Sequence, residues 1–157
     1  MVLEPFTYKD HVRKEWVDYN GHMNDAEYAK VFSLSVDSFM DYIGLDEAAR
    51  QSLDYTIFTL ETHLCYAKEA HEGEELTVDV QLLDDDAKRL HVFFTMKNRE
   101  GIEIATSEQM LMGMDTAKGR PAPFPPVISD IIEKIRNEHE LMPRPTQVGR
   151  QIGIKKR

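Results

Sequence analysis

Apolar residues recur along this chain at two different periods, and the change of period divides it. Tyr28, Val31, Phe32, Val36, Phe39 and Ile43, with Ser35 on the same side, fall at three- and four-residue steps. That is the spacing of a helix with one broad apolar face. Asn24 followed by Glu27 has the form of a capping box with Asn in place of the usual Ser or Thr. Gly44 is placed to close the last turn in a left-handed conformation. A long helix is therefore predicted over residues 25–43.

From Tyr55 the period becomes two. "YTIFTLETHLCY" is rich in β-branched and aromatic residues, and in "ELTVDVQLL" Leu76, Val78, Val80 and Leu82 alternate with polar positions. "KRLHVFFTMKN" sets Leu90, Val92, Phe94 and Met96 on one face. "GIEIATSEQMLMGM" does the same with Ile102, Ile104, Thr106, Glu108, Met110, Met112 and Met114. Turn signals ("HEGEE", "DDDA", "NREG") separate the four runs. Four consecutive strands with short loops predict an antiparallel meander, and "FTYKDHVRKEWV" before the helix predicts a fifth strand. The wide apolar face of the helix must be buried, and the concave side of the sheet is the surface available. "PAPFPP" then breaks the pattern, and apolar residues at 127, 128, 131, 132 and 135 predict a peripheral helix near 126–140. The fold class is α+β: a long central helix wrapped by an antiparallel sheet.

Composition narrows the function without naming it. A chain of 157 residues with 41% hydrophobic and 30% charged residues is expected to form one domain, here residues 1–140, followed by a basic tail at 141–157. That tail carries five Lys/Arg and no acid, so a net charge of −9 leaves −14 on the rest. Such a body repels polyphosphate, which argues against nucleic acid as a partner. No apolar run approaches the roughly 18 residues of a membrane span, the first residues lack the form of a signal peptide, and Cys65 is the lone cysteine. A cytoplasmic, reducing setting is expected.

The chemistry on offer is that of carboxylates. There is no Gly-x-Ser-x-Gly elbow, phosphate-binding loop or dinucleotide fingerprint. The histidines at 11, 22, 63, 71, 91 and 139 never fall at metal-ligand spacing with a second His or Cys, so no metal is expected. Cys65 reads as a small core residue. Polar residues crowd instead into "WVDYNGHMNDAEY", residues 16–28. One reading is structural: Asn20-Gly21 turns, Asn24 caps, and Asp18 or His22 satisfies loop amides. The other is catalytic. The first amides of a helix are unpaired and partly positive, which suits a developing oxyanion. A carboxylate held just upstream can attack the same carbonyl or activate water. A thioester fits, because a thiolate leaves at a pKa near ~8.5 and needs no strong general acid.

"DYNGHMNDAEY" resembles the signature of hotdog-fold acyl-CoA thioesterases of the 4-hydroxybenzoyl-CoA thioesterase type, with Asp18, Gly21, His22, Asn24 and Tyr28 matching in order; "ETHLCYAKEAHEGEELTV" adds Glu61, Tyr66, Gly73 and Leu76. The resemblance covers roughly residues 6–115. It implies Asp18 as nucleophile or general base and an oxyanion site at the helix start, Asn24 and Asp25. It leaves Glu61 as the second carboxylate candidate and implies no cofactor. Trp16 stands where many relatives carry another Asp. Within the family the stretch is similar to members that hydrolyse betainyl-CoA to glycine betaine and CoA in carnitine breakdown. A trimethylammonium group suits aromatic, anionic surroundings, for which Trp16, Tyr19, Tyr28, Phe32, Tyr55 and Phe58 are the aromatic candidates and Glu61 the charge; His22 and His63 are further candidates for the substrate pocket. Lys68, Arg89 and Arg120 are candidates for the CoA phosphates. Hotdog domains pair through their sheets, so a homodimer or dimer of dimers is implied. Two rivals stay open. Hotdog enoyl-CoA hydratases carry Asp-x-Asn-x-x-His, which "DYNGH" misses by one residue, and a non-catalytic acyl-CoA-binding module would use the same fold.

Overall fold

The computed structural model describes residues 3–156. Strand β1 (Thr7–His11) is followed by a single 3-10 turn at Lys14–Trp16, then by helix α1 (Asp25–Tyr42) and the short helix α2 (Glu47–Leu53). Strands β2 (Tyr55–Tyr66), β3 (Glu75–Asp85), β4 (Arg89–Lys97), β5 (Glu103–Asp115) and β6 (Arg120–Pro121) precede helix α3 (Pro126–His139). The sheet is antiparallel, in the order β1-β3-β4-β5-β2, with β6 paired to β5. Tyr28, Val31, Phe32, Val36, Phe39 and Met40 of α1 are buried against Val78, Val92, Phe94 and Met96 in one continuous core. This is the hotdog arrangement, a long helix held in a curled antiparallel sheet.

Four expectations need correction. The early strand stops at His11, and the chain then turns so that Val12 and Trp16 are buried in the core. Only β3, β4 and β5 form a meander; β2 lies on the far edge, beside β5. The reason is its connection to β3, which is drawn across to the loop before α1. There the Met23 amide donates to Ala70 O (2.8 Å) and the Glu72 amide to Gly21 O (3.0 Å). Third, the inward face of β5 is Ala105, Ser107, Gln109 and Leu111, each opposite a core residue of β4, so Met110 and Met112 face away from α1. Fourth, the Asn24 side chain makes no capping bond, although its backbone begins the helix.

The end of α1 is as expected. The Leu45 amide returns to Met40 O and the Gly44 amide to Asp41 O, with Gly44 at φ +93°, the paired bonds of a Schellman turn. Helix α2 has no counterpart in the sequence reading; Asp46 caps it through the Ala49 amide, and none of its residues is buried. After α3 the chain crosses the face of the sheet away from α1. It is fastened there by Gln147 Nε2 to Glu103 (2.7 Å) and by the Gly149 amide to Glu108 (2.7 Å).

Candidate active site

The loop from Val17 to Met23 closes on itself. Val17 pairs with Met23, the Asp18 amide donates to His22 O (2.9 Å), and the Gly21 amide donates to Asp18 O (3.0 Å). Gly21 sits at φ +78°, where a side chain would be strained. One carboxylate oxygen of Asp18, Oδ1, accepts the amides of Asn20 (2.8 Å) and His22 (3.1 Å). The structural half of the sequence reading is thus realised in Asp18, and its second oxygen makes no bond among the described residues.

Immediately downstream α1 exposes its first amides. The Glu27 amide is taken by Asn24 O and the Ala26 amide by the Asp25 carboxylate. The amide of Asp25 itself is paired with no acceptor among the described residues. It stands at a cavity of about 290 Å³ lined by Met23, Asp25, Tyr28, Tyr66, Lys68 and Glu69. Tyr28 and Tyr66 meet edge to face at 5.2 Å. The Tyr66 hydroxyl donates to Asp25 O (3.1 Å), and the Tyr28 hydroxyl accepts the Ala70 amide (3.1 Å). Burial pushes both hydroxyls above the ordinary tyrosine pKa, so each stays neutral.

One turn further along α1, a groove of about 430 Å³ lies between Ala29 and Ser33 and the inward side of β2, Thr59, Thr62 and Leu64. Small residues at 29 and 33 leave the helix unable to fill this seam. Gln109 forms part of its wall; its amide nitrogen donates to Ser107 Oγ (3.0 Å), while its carbonyl oxygen is buried without a partner among the described residues.

The other candidates are dispersed. Trp16 and Phe32 are core residues, 1% exposed, with Arg13 stacked on the indole at 4.6 Å. Tyr19 projects into solvent at 96% exposure. Neither arrangement walls a pocket. Glu61 and His63 share a face of β2, as expected, but it is the face away from α1, because Thr62, Leu64 and Tyr66 alternate onto the inner side. They line a separate cavity of about 310 Å³ with His91, Glu108 and Arg150 of the C-terminal segment. His91 Nε2 lies 2.6 Å from Glu108, and burial, which raises that carboxyl's pKa, is outweighed by the Gly149 amide and His91, which hold it below the ordinary range. Cys65 is half-buried beneath the same segment, not in the core. Lys68 does reach the cavity at the helix start. Arg89 is engaged with Asp86 (2.6–2.7 Å), and Arg120 is exposed on β6. His22 lies beside Glu69 and His71, two partners that local spacing in the sequence could not indicate.

A family model described as the thioesterase-like superfamily matches residues 12–132. The chain belongs to that superfamily. It is 42% identical over 149 residues to a betainyl-CoA thioesterase of Pseudomonas aeruginosa, covering 94% of each chain. It is 36% identical over 142 residues to an L-carnitine dehydrogenase/betainyl-CoA thioesterase of Agrobacterium fabrum, covering 90% of this chain and 29% of that one. Among solved structures it resembles a Staphylococcus aureus protein determined in complex with CoA, with a TM-score of 0.91 and 36% identity over 99% of this chain and 98% of that one.

Proposed function

We propose that this thioesterase-superfamily protein hydrolyses a short, cationic acyl-CoA, betainyl-CoA, to glycine betaine and CoA. The observation that carries the reading is the unpaired Asp25 amide at the mouth of an aromatic cavity, seven residues after a loop-held carboxylate. In this mechanism the thioester carbonyl oxygen accepts the Asp25 amide, and the positive end of α1 stabilises the charge that develops there. Asp18 supplies the carboxylate, either attacking the carbonyl carbon or taking a proton from the attacking water. The C–S bond breaks and the thiolate leaves, taking up the proton drawn from water; the water oxygen ends in the carboxylate of glycine betaine, directly where Asp18 acts as base, or by cleaving the acyl–Asp18 anhydride where Asp18 attacks first. Tyr28 and Tyr66 offer ring faces and Asp25 and Glu69 negative charge to the trimethylammonium group, and Lys68, in the lining of the same cavity, is the proposed contact for a CoA phosphate.

The same reading takes residues 1–140 as the catalytic unit with 141–157 as an appended strap. It places the protein in the cytoplasm, and pairs two copies through the free edge of β2. The test is thiol release from betainyl-, acetyl-, crotonyl-, benzoyl- and long-chain acyl-CoA, with the native chain and Asp18→Asn side by side. Betainyl-CoA is expected to be hydrolysed fastest, with a loss of at least ~10²-fold in the variant. Full activity in Asp18→Asn would overturn the role of Asp18. Hydration of crotonyl-CoA without thiol release, or tight binding without turnover, would replace hydrolysis by one of the two rivals.

A further inference from the structure

Beside the candidate active site, donors from two loops converge on one point. His22 follows the Asn20-Gly21 turn, while Glu69 and His71 lie in the connection between β2 and β3. The two backbones form a short antiparallel ladder in which His22 and His71 are directly opposed, flanked by the Met23–Ala70 and Glu72–Gly21 hydrogen bonds. The imidazoles meet edge to face with centroids 4.8 Å apart. Glu69, two residues before His71, brings Oε2 to 3.4 Å from His22 Nδ1. One donor atom from each of the three side chains lies within 4.8 Å of the other two.

The spacing leaves room for a shared ion. A His–carboxylate hydrogen bond closes to about 2.7–3.2 Å, and 3.4 Å is too long for a good one. Two ligands each about 2.0–2.1 Å from a tetrahedral ion stand about 3.3–3.4 Å apart, which is the separation seen. His71 is anchored through its backbone amide, which donates to Glu74 Oε1 at 3.1 Å. His22 is fixed from the opposite side, its amide held by Asp18. Glu69 and His71 are exposed enough to swing the remaining distance without disturbing the core.

We propose that His22, Glu69 and His71 form a binding site for a divalent transition-metal ion of the zinc class, with a remaining position open to water. Two imidazoles and one carboxylate favour such ions over magnesium or calcium, which prefer all-oxygen sites. The ion rivets the β2–β3 connection to the loop that carries Asp18. Glu69 is shared with the wall of the proposed substrate cavity, but metal binding is measured without substrate, so either conclusion can fail alone.

The test uses untagged protein stripped with a chelator, titrated with Zn²⁺ by calorimetry, with Co²⁺ as a spectroscopic probe of imidazole ligation. One ion per chain is expected. Glu69→Gln and His71→Ala are each expected to weaken binding at least ~10-fold, and His91→Ala, on β4 beside Glu108 and the C-terminal segment, to leave it unchanged. Glu69→Gln replaces a largely exposed side chain, so it tests the site even if His71→Ala disturbs the loop. Absence of Zn²⁺ uptake, or uptake that Glu69→Gln and His71→Ala leave intact, would overturn the site.

Discussion

Gly113, on the inward side of β5 opposite Ile57, shows how little room some single positions leave. A Cβ built there would overlap the Tyr55 hydroxyl, which is held in place by its bond to Ala122 O (2.7 Å). Because the obstruction is a buried ring tied to backbone, Gly113→Ala is expected to destabilise the fold by about 1–3 kcal/mol. Tyr55→Phe in the same chain should return part of that loss, since it removes the nearest atom and keeps the ring. Urea unfolding of the two single variants and the double variant measures the coupling, and strictly additive effects would refute the overlap. The residue scale also explains why the opening motif reads two ways. Asp18 has two oxygens, and Oδ1 is committed to the loop amides. The other oxygen is the one left for the chemical role proposed above.

At the scale of elements, α3 is docked to β3 by groups that titrate differently. Arg136 makes a two-pronged bond to Asp85 (2.6 and 2.7 Å), and His139 Nδ1 accepts the Leu82 amide at 2.8 Å. An accepting Nδ1 carries no proton, and burial lowers the pKa of this histidine below its ordinary 6.5. The contribution of a depressed histidine is present above the unfolded value and lost as pH falls through the folded one. Stability is therefore expected to decline below about pH 6.5, modestly, because the ring is only half-buried. His139→Gln, whose amide oxygen can accept the same N–H at any pH, should flatten that slope between about pH 7 and 5. Thermal unfolding across the range checks it; identical slopes in both proteins would remove His139 from the account. The same scale sets what the sequence made legible. β3 and β4 keep an unbroken alternation between Leu76 and Leu82 and between Leu90 and Met96, and their core faces read correctly. β5 reads inverted: its inner side carries Ser107, Gln109 and Gly113 beside the small-residue seam of α1, while methionines occupy its outer side. α2 buries nothing and so leaves no periodic trace. The long helix, its Schellman end and the carboxylate loop were legible because each is a local pattern. The His22–Glu69–His71 cluster was not, because it exists only once two loops meet.

For the whole molecule, both broad faces of the sheet carry other parts of the chain: α1 on one, the C-terminal segment across part of the other. The longer of the two free edges is that of β2, twelve residues long with Phe58 and Leu60 about half exposed (53% and 51%). A long unpaired edge of that kind pairs readily with another strand, and a second copy offers an identical one. Light scattering is expected to give twice the chain mass for the native protein. Replacing Phe58 and Leu60 together by lysine should shift it toward the monomer, and a native monomer would end the proposal of pairing through β2. The strap also changes what the uneven charge means. One of its basic residues, Arg150, lines the cavity that holds Glu61 and Glu108, so the chain meets part of its own excess charge.

One irregularity in β2 bears on how such a chain can change over generations. Thr59 and Glu61 face consecutive residues of β5, Leu111 and Met110, so Leu60 occupies no rung of the ladder. The strand carries one residue of slack, next to the stretch that separates an aromatic wall on one side from Glu61 and His63 on the other. A single-residue deletion from 60 to 66 can draw on that slack and leave everything beyond it in register. An insertion finds no such reserve, and it turns the downstream side chains over to the opposite face.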